Sequence, residues 1–386
     1  MKVKFIAAIA LTAALSFTLT GCFPTGPRQT SSQESESADS EIETSAAESA
    51  ASSKSYVDDL KKTEKFNLDI DVPSEIPKIR FTTMNVPTLD SIKSLSIFDG
   101  QKIIEENEIS AIQDLQSTGY VLKTDDFTFN IQSSETWITY NDPIKEAQDF
   151  ASTKSSSPLL EYSENADFVD FPRSEAINKV VSLANELGIT NLGEPRCVAV
   201  TADDMNKTID KYSEKYSDFE SARLSENDGV YYIVIPIAMN GFTTAYADRG
   251  GLPAMGDDPG EIGGIGATAV MAVVSSNGIA SFQAWGYLGT QTNDFETAEN
   301  ISVKYSASEA FELLAKQEHV RFKNSPDIFT SCSMVYIIDS MINLYKPNQT
   351  SVFVPVWEFR FIETNDLGPR DRCFYVHPES GKIMST

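Results

Sequence analysis

Histidine is almost missing from this sequence, with only His319 and His377 among 386 residues. Neither His-Glu-x-x-His nor paired Cys-x-x-Cys spacing occurs, which removes the common zinc sites. No Gly-x-Ser-x-Gly elbow is present, so serine-hydrolase chemistry has no visible nucleophile. His319 reads as the end of a helix, where the dipole favours a cation, and His377 as part of a hairpin before Pro378. Both are taken as surface or capping residues, and neither a catalytic residue nor a metal or cofactor is expected. Positive charge is scarce as well: 31 Lys and Arg stand against 56 Asp and Glu, for a formal charge of −25. Phosphate contacts need clustered cations, and no basic run exists, so nucleic acid is excluded as a partner. Beyond residue 22 nothing is apolar enough to span a bilayer.

What is present begins at the amino terminus. Lys2 and Lys4 precede an apolar run from Phe5 to Phe17, which leads into Leu19-Thr20-Gly21-Cys22. A charged start, a short apolar centre and small residues before a cleavage point make a secretory signal. Read instead as an uncleaved anchor, residues 5–21 would be at the short end of the roughly 17–25 residues a span requires. The tetrapeptide resembles the lipobox of bacterial lipoproteins. That resemblance implies removal of residues 1–21 and lipidation of Cys22, so that the chain is held on the extracytoplasmic face of the cell membrane. A diacylglyceryl group supplies the two chains that stable anchoring needs.

Residues 22–65 form the next segment, mostly Ser, Glu, Ala and Thr, with too little apolar surface to offset ordering entropy. It is expected to be a disordered tether with a reach of roughly 35–40 Å. The remainder exceeds what one core usually serves, so two or three modules are expected: 66–165, 166–298 and 299–386. Asn67–Val72, Lys78–Met84, Phe127–Ile131 and Thr136–Tyr140 alternate as strands, while 89–98 and 101–116 have helical spacing. In the second module Ser174 is a candidate cap and Gly188 a stop for a helix. Strands follow at 197–201 and from Val230 through Pro236 toward Tyr246, then a hairpin around Asn277-Gly278. In the third, Ser306 and Glu309 form a capping box, followed by strands at 332–339, 352–361 and a terminal hairpin. The fold class is therefore α+β, with antiparallel sheets packed by helices. The order helix, strand, Pro-interrupted strand, hairpin occurs twice, with Pro236 matching Pro355, which points to an internal duplication.

Val354-Pro355-Val356-Trp357-Glu358-Phe359, then Phe374-Tyr375-Val376 and Glu379-Ser380-Gly381-Lys382-Ile383, resemble the ending of YycH/YycI-type regulatory proteins and related PepSY-like domains. The likeness covers roughly the last 90 residues, and the whole resembles secreted lipoproteins of Gram-positive bacteria. It implies a helix against an antiparallel sheet and a role in restraining an envelope protein by contact. YycH/YycI proteins are held by a transmembrane helix, where this chain has a lipobox.

With Cys22 lipidated, Cys197, Cys332 and Cys373 remain. Cys332 and Cys373 could pair, or all three could be small buried hydrophobes. The Gly-rich stretch 248–266 has four carboxylates and no Lys, which fits neither a phosphate cradle nor an EF-hand, and it reads as a long connection. Three functional readings follow. The first is a lipid-anchored, non-enzymatic interaction or regulatory protein with a partner in the cell envelope. The second is a solute- or glycan-binding lipoprotein using Trp137, Trp285, Tyr287 and Trp357 as platforms. The third is a hydrolase that needs two carboxylates about 5–10 Å apart in a cleft.

Overall fold

The computed structural model describes residues 56–82, 86–109, 119–132, 135–153, 158–162, 164–213, 223–246, 253–255, 262–264, 269–285, 295–324, 327–338, 350–365 and 368–385. The signal, Cys22, the Ser/Glu-rich run to residue 55, most of 248–266 and Tyr287 lie outside the described residues. In chain order the elements are β1 (Glu75–Thr82), α1 (Leu89–Lys93), β2 (Glu105–Ile109), β3 (Gly119–Lys123), β4 (Phe127–Gln132) and β5 (Glu135–Tyr140). Next come α2 (Pro143–Thr153), α3 (Pro158–Glu161), α4 (Arg173–Glu186), β6 (Arg196–Val200), α5 (Ala202–Ser213), β7 (Val230–Pro236), β8 (Ala238–Met239) and β9 (Phe242–Thr244). Then β10 (Pro253–Met255), β11 (Ile262–Gly264), β12 (Ala269–Ser275), β13 (Gly278–Trp285) and β14 (Glu296–Ser302) precede α6 (Ala307–Gln317) and α7 (His319–Asn324). The chain ends in β15 (Ile328–Ile338), β16 (Thr350–Asn365), β17 (Gly368–Val376) and β18 (Ile383–Ser385).

The class is α+β, as the patterning implied. Among the described residues the strands form two sheets, of eight and ten strands. The eight-stranded sheet has the order β2-β3-β4-β5-β13-β12-β7-β6, two antiparallel meanders joined edge to edge by β5 and β13. The ten-stranded sheet is built around β16. β15 fills one edge of it, and on the other edge β1 pairs with Thr350–Phe353 while β17 pairs with Trp357–Asn365. Pro355 falls in the gap between those two neighbours, where its missing N–H leaves no ladder partner waiting. Two short strands depart from the antiparallel expectation: β9 and β10 run parallel to β15. The expected order of a helix followed by four antiparallel strands occurs twice, α4 before β6-β7-β12-β13 and α6 before β15-β16-β17-β18, with α5 and β8 to β11 inserted in the first set.

The expected boundaries at 165 and 298 do not divide the sheets. β1, from the first expected module, completes the sheet of the last, and β2 to β5 complete the sheet of the second. One apolar cluster lines both sheets, with Phe81, Trp357 and Phe359 from one and Ile138, Ile233 and Phe282 from the other, joined by Val180 of α4 and Phe311 of α6. A smaller cluster on the far face of the eight-stranded sheet packs Ala151 of α2 and Met205 of α5 on Val198, Tyr232 and Val273. Nor does the body begin at residue 66. Lys61 and Thr63 exchange backbone hydrogen bonds with Phe329, and Val57 is buried, so residues 56–65 belong to the folded part.

Other expectations change for identifiable reasons. Asn67–Val72 makes no ladder; its alternation comes from Leu68, Ile70 and Val72 lying on the core unpaired. The helix expected over 101–116 gives way to β2, because β3 offers Gly119–Lys123 as a partner along its whole length. Residues 110–118 lie outside the described residues. α4 starts one residue before Ser174, and its first free N–H, on Arg173, is taken by Asp167 Oδ1 at 2.8 Å. The capping box is as expected, with Glu309 Oε2 accepting from Ser306 N–H at 2.8 Å. The Asn277-Gly278 hairpin also forms, between β12 and β13. The strand expected to run on from Val230 turns back at Asn240-Gly241, whose φ values of 47° and 80° suit a tight hairpin between β8 and β9. That hairpin carries the chain from one sheet to the other.

Candidate functional site

Two places concentrate polar groups: an open groove beside Tyr140 and a buried ion cluster on β16. The groove is built by turns. Thr124 Oγ1 accepts from the N–H groups of Asp126 (3.2 Å) and Phe127 (3.0 Å), folding the β3–β4 turn so that two adjacent carboxylates face outward. Asn141 ties that turn to the end of β5, donating from its side chain to the carbonyls of Thr124 and Asp125 at 3.2 Å. Asp142 then caps α2, accepting from Ile144 N–H at 2.9 Å ahead of Pro143. Gln101 reaches in and donates to Asp126 Oδ2 at 2.7 Å. On the opposite side, Glu175, Asn178, Lys179, Ser182 and Glu186 form the polar stripe of α4, at the spacing of one helix face. Glu186 accepts from both the N–H and the hydroxyl of Ser96, which fixes the loop after α1 against that helix.

The result is two hollows of about 470 and 370 Å³ that share Ile97 and Tyr140. The larger is mostly apolar, with Ile97, Leu183 and Ile279 in its lining, the smaller mostly polar, and together they carry five carboxylates against two ammonium groups. Burial, with Asp126 nearby, pushes the Tyr140 phenol up to about 12, so it stays a neutral hydroxyl. The Lys145 ammonium stands 4.0 Å from the centre of the Tyr140 ring. Among the described residues no group of His, Cys, Asp and Glu is arranged to hold a metal ion.

The buried cluster lies on the face of the ten-stranded sheet away from the shared core. Period-two alternation along β16 turns Trp357, Phe359 and Phe361 into that core and Glu358 and Arg360 to the other side. Arg360 donates from Nε to Glu358 Oε1 (2.7 Å), from Nη1 to Asp371 Oδ2 (2.6 Å) and from Nη2 to the Tyr246 carbonyl (2.5 Å). Its guanidinium also lies 4.5 Å from the Tyr246 ring centre, and Tyr375 donates to Glu358 Oε2 at 3.3 Å. Tyr246 is held at its other end by Arg196 of β6, which donates to the phenol oxygen at 3.1 Å and pairs with Glu164. One tyrosine is thus gripped by an arginine from each sheet. Two carboxylates do converge here, but the guanidinium is bonded to both.

The residues singled out from sequence are scattered. His319 opens α7 at the surface, with Nδ1 3.3 Å from the Lys316 carbonyl. His377 accepts at Nδ1 from the N–H groups of Glu379 and Ser380, both at 3.3 Å, and burial lowers its pKa from 6.5. Trp357 is no platform: it is fully buried, and its indole N–H donates to the Tyr305 carbonyl at 2.9 Å. Trp137 is half-buried on β5, and the Trp285 ring lies outside the described residues.

Cys332 and Cys373 are free thiols and cannot pair where they stand. Cys332 is opposite Phe359 and Cys373 opposite Arg360, so they lie on opposite faces of the sheet with β16 between them. Burial pushes the Cys197 thiol up to about 12 and raises those of Cys332 and Cys373 as well. Neither the groove nor the Tyr246 grip was foreseen. Asp125-Asp126 and Asn141-Asp142-Pro143 are turn signals that mark the rim of the groove, whereas nothing local marks the grip.

Fold and site together define an α+β protein of two sheets over a common core, with an acidic groove on one flank. No protein-family model matches the chain, and no curated protein does. Among solved structures it is similar to an uncharacterized protein from Eubacterium rectale, with a TM-score of 0.56, 10% sequence identity, and coverage of 86% of this chain and 98% of that one. That likeness is one of fold. No helix among the described residues is long and apolar enough to cross a membrane.

Proposed function

We propose that this chain is a lipid-anchored protein of the cell envelope, facing outward from the membrane, that acts by binding a partner and not by catalysis. The observation that carries the reading is Leu19-Thr20-Gly21-Cys22 behind a charged and then apolar start. The Ser/Glu-rich run to residue 55 supports it, since a polar segment of that kind lets a folded body range over tens of ångströms from its anchor. So do the three thiols, which burial keeps protonated and out of nucleophilic chemistry at neutral pH. The test is metabolic labelling with an alkyne fatty acid. The native protein should take up label and the Cys22→Ala variant none; a native protein that stays unlabelled overturns the anchoring.

Binding of a solute or glycan is the second reading, favoured by the Tyr140 groove, whose volume suits a ligand of a few hundred daltons. A rise in melting temperature with an oligosaccharide, absent for Tyr140→Ala, would select it.

A further inference from the structure

We infer that the Tyr140 groove docks a cationic segment of a partner protein, one in which apolar side chains are flanked by Lys or Arg. This rests on the reading of the chain as an interaction protein and names the surface and the chemistry of the partner. Three features of the groove point the same way. It is open and elongated, two hollows in series sharing Ile97 and Tyr140, which suits a stretch of chain better than a compact solute. The larger hollow is mostly apolar with Glu175 and Glu186 on it, and the smaller is mostly polar with Asp125, Asp126 and Asp142, so a segment seated along both gains from burying apolar side chains in the first and from meeting opposite charge in the second. And a cation already stands on its aromatic ring: the Lys145 ammonium, 4.0 Å from the centre of Tyr140, fills the place a partner's Lys or Arg would take. The overall charge of −25 adds long-range attraction for such a partner and repels an acidic one.

The carboxylates are also held ready. Asp126 is fixed by Gln101, Asp142 by the first turn of α2, and Glu186 by Ser96, so the rim does not have to be ordered when a ligand arrives.

The test is fluorescence anisotropy with the full chain in detergent and the probe fluorescein-Lys-Lys-Leu-Phe-Leu-Lys-Lys, with its Glu-for-Lys counterpart as the opposite-charge probe. The cationic probe should bind saturably and the acidic one not. Asp126→Asn with Asp142→Asn, which keeps side-chain shape, should weaken binding about five- to thirtyfold. Lys145→Ala should tighten it about two- to fivefold by vacating the ring. Glu296→Gln with Glu312→Gln removes the same charge from β14 and α6 and should leave affinity unchanged. Equal melting temperatures establish that every variant is folded. The inference fails if the cationic probe does not bind, if both double variants lose affinity alike, or if the acidic probe binds equally. It also fails if chitohexaose is bound in a Tyr140-dependent way while the peptide is not. Cross-linking in cells reports separately on whether the protein has an envelope partner, so loss of the groove assignment and loss of the interaction reading are told apart.

Discussion

Replacing Arg360 by Met tests the interior most severely. The guanidinium is 8% exposed and its partners Glu358 and Asp371 are 3% and 5% exposed, so the substitution strands two carboxylates away from water and frees the Tyr246 carbonyl. Removing one member of a buried ion cluster costs about 3–5 kcal/mol, since the remaining charges lose their compensation. For a protein of ordinary stability, about 5–15 kcal/mol, that is a large fraction of the whole. The assay is urea unfolding followed by far-ultraviolet circular dichroism, with the midpoint and slope fitted together. A matched triple variant, Arg360→Met with Glu358→Leu and Asp371→Leu, removes the charges together and should recover most of the loss, because apolar replacement of a complete buried cluster is often neutral. A cost below about 1 kcal/mol for Arg360→Met would put this cluster among exposed ion pairs and refute its burial. A triple variant no better than the single would show that the loss is one of packing and not of charge.

Two further outcomes follow from the geometry. Cys197 and Cys373 are buried and Cys332 is partly covered, so all three should resist a thiol reagent such as dithionitrobenzoate at pH 8 in the native protein and react in urea; rapid labelling of the folded protein at Cys197 or Cys373 would contradict their burial. Gly381 has φ of +68°, and a Cβ there would stand 2.9 Å from Leu313 Cδ1, so Gly381→Ala should lower stability by about 1–3 kcal/mol, measured by the same urea titration.

How far the sequence could be read depended on the range of the interaction behind each pattern. The capping box at Ser306 and Glu309, the stop at Gly188 and the hairpin at Asn277-Gly278 involve residues a few positions apart, and each stands as expected. Alternation alone gave mixed results: it placed Phe127–Ile131 and Thr136–Tyr140 on strands that exist, whereas Asn67–Val72 has the pattern of a strand without a neighbour, and the helical spacing over Glu105–Ile109 gave way to a strand neighbour it could not show. The order of helix and four strands was legible because most of the pairs join strands close in the chain, β12 with β13 and β15 through β18, the exception being β7 with β12 across β8 to β11. Its boundaries were not, because β1 and the β8–β9 hairpin cross from one half to complete the other.

By itself the sequence determined the class of fold, most of the strands and their turns, and the motif at Cys22 on which the envelope reading rests, because all of these are written in neighbouring residues. Only the tertiary structure decided that Tyr246 meets an arginine 114 positions away, that Cys332 and Cys373 face apart, and that Gln101, Asp126, Asp142 and the polar stripe of α4 enclose one groove. Those outcomes turn on strand register and on which faces share a core. A slip of one residue in β16 would send Arg360 and Glu358 into the aromatic core and Phe359 to the face that holds Asp371, and no local pattern carries that choice.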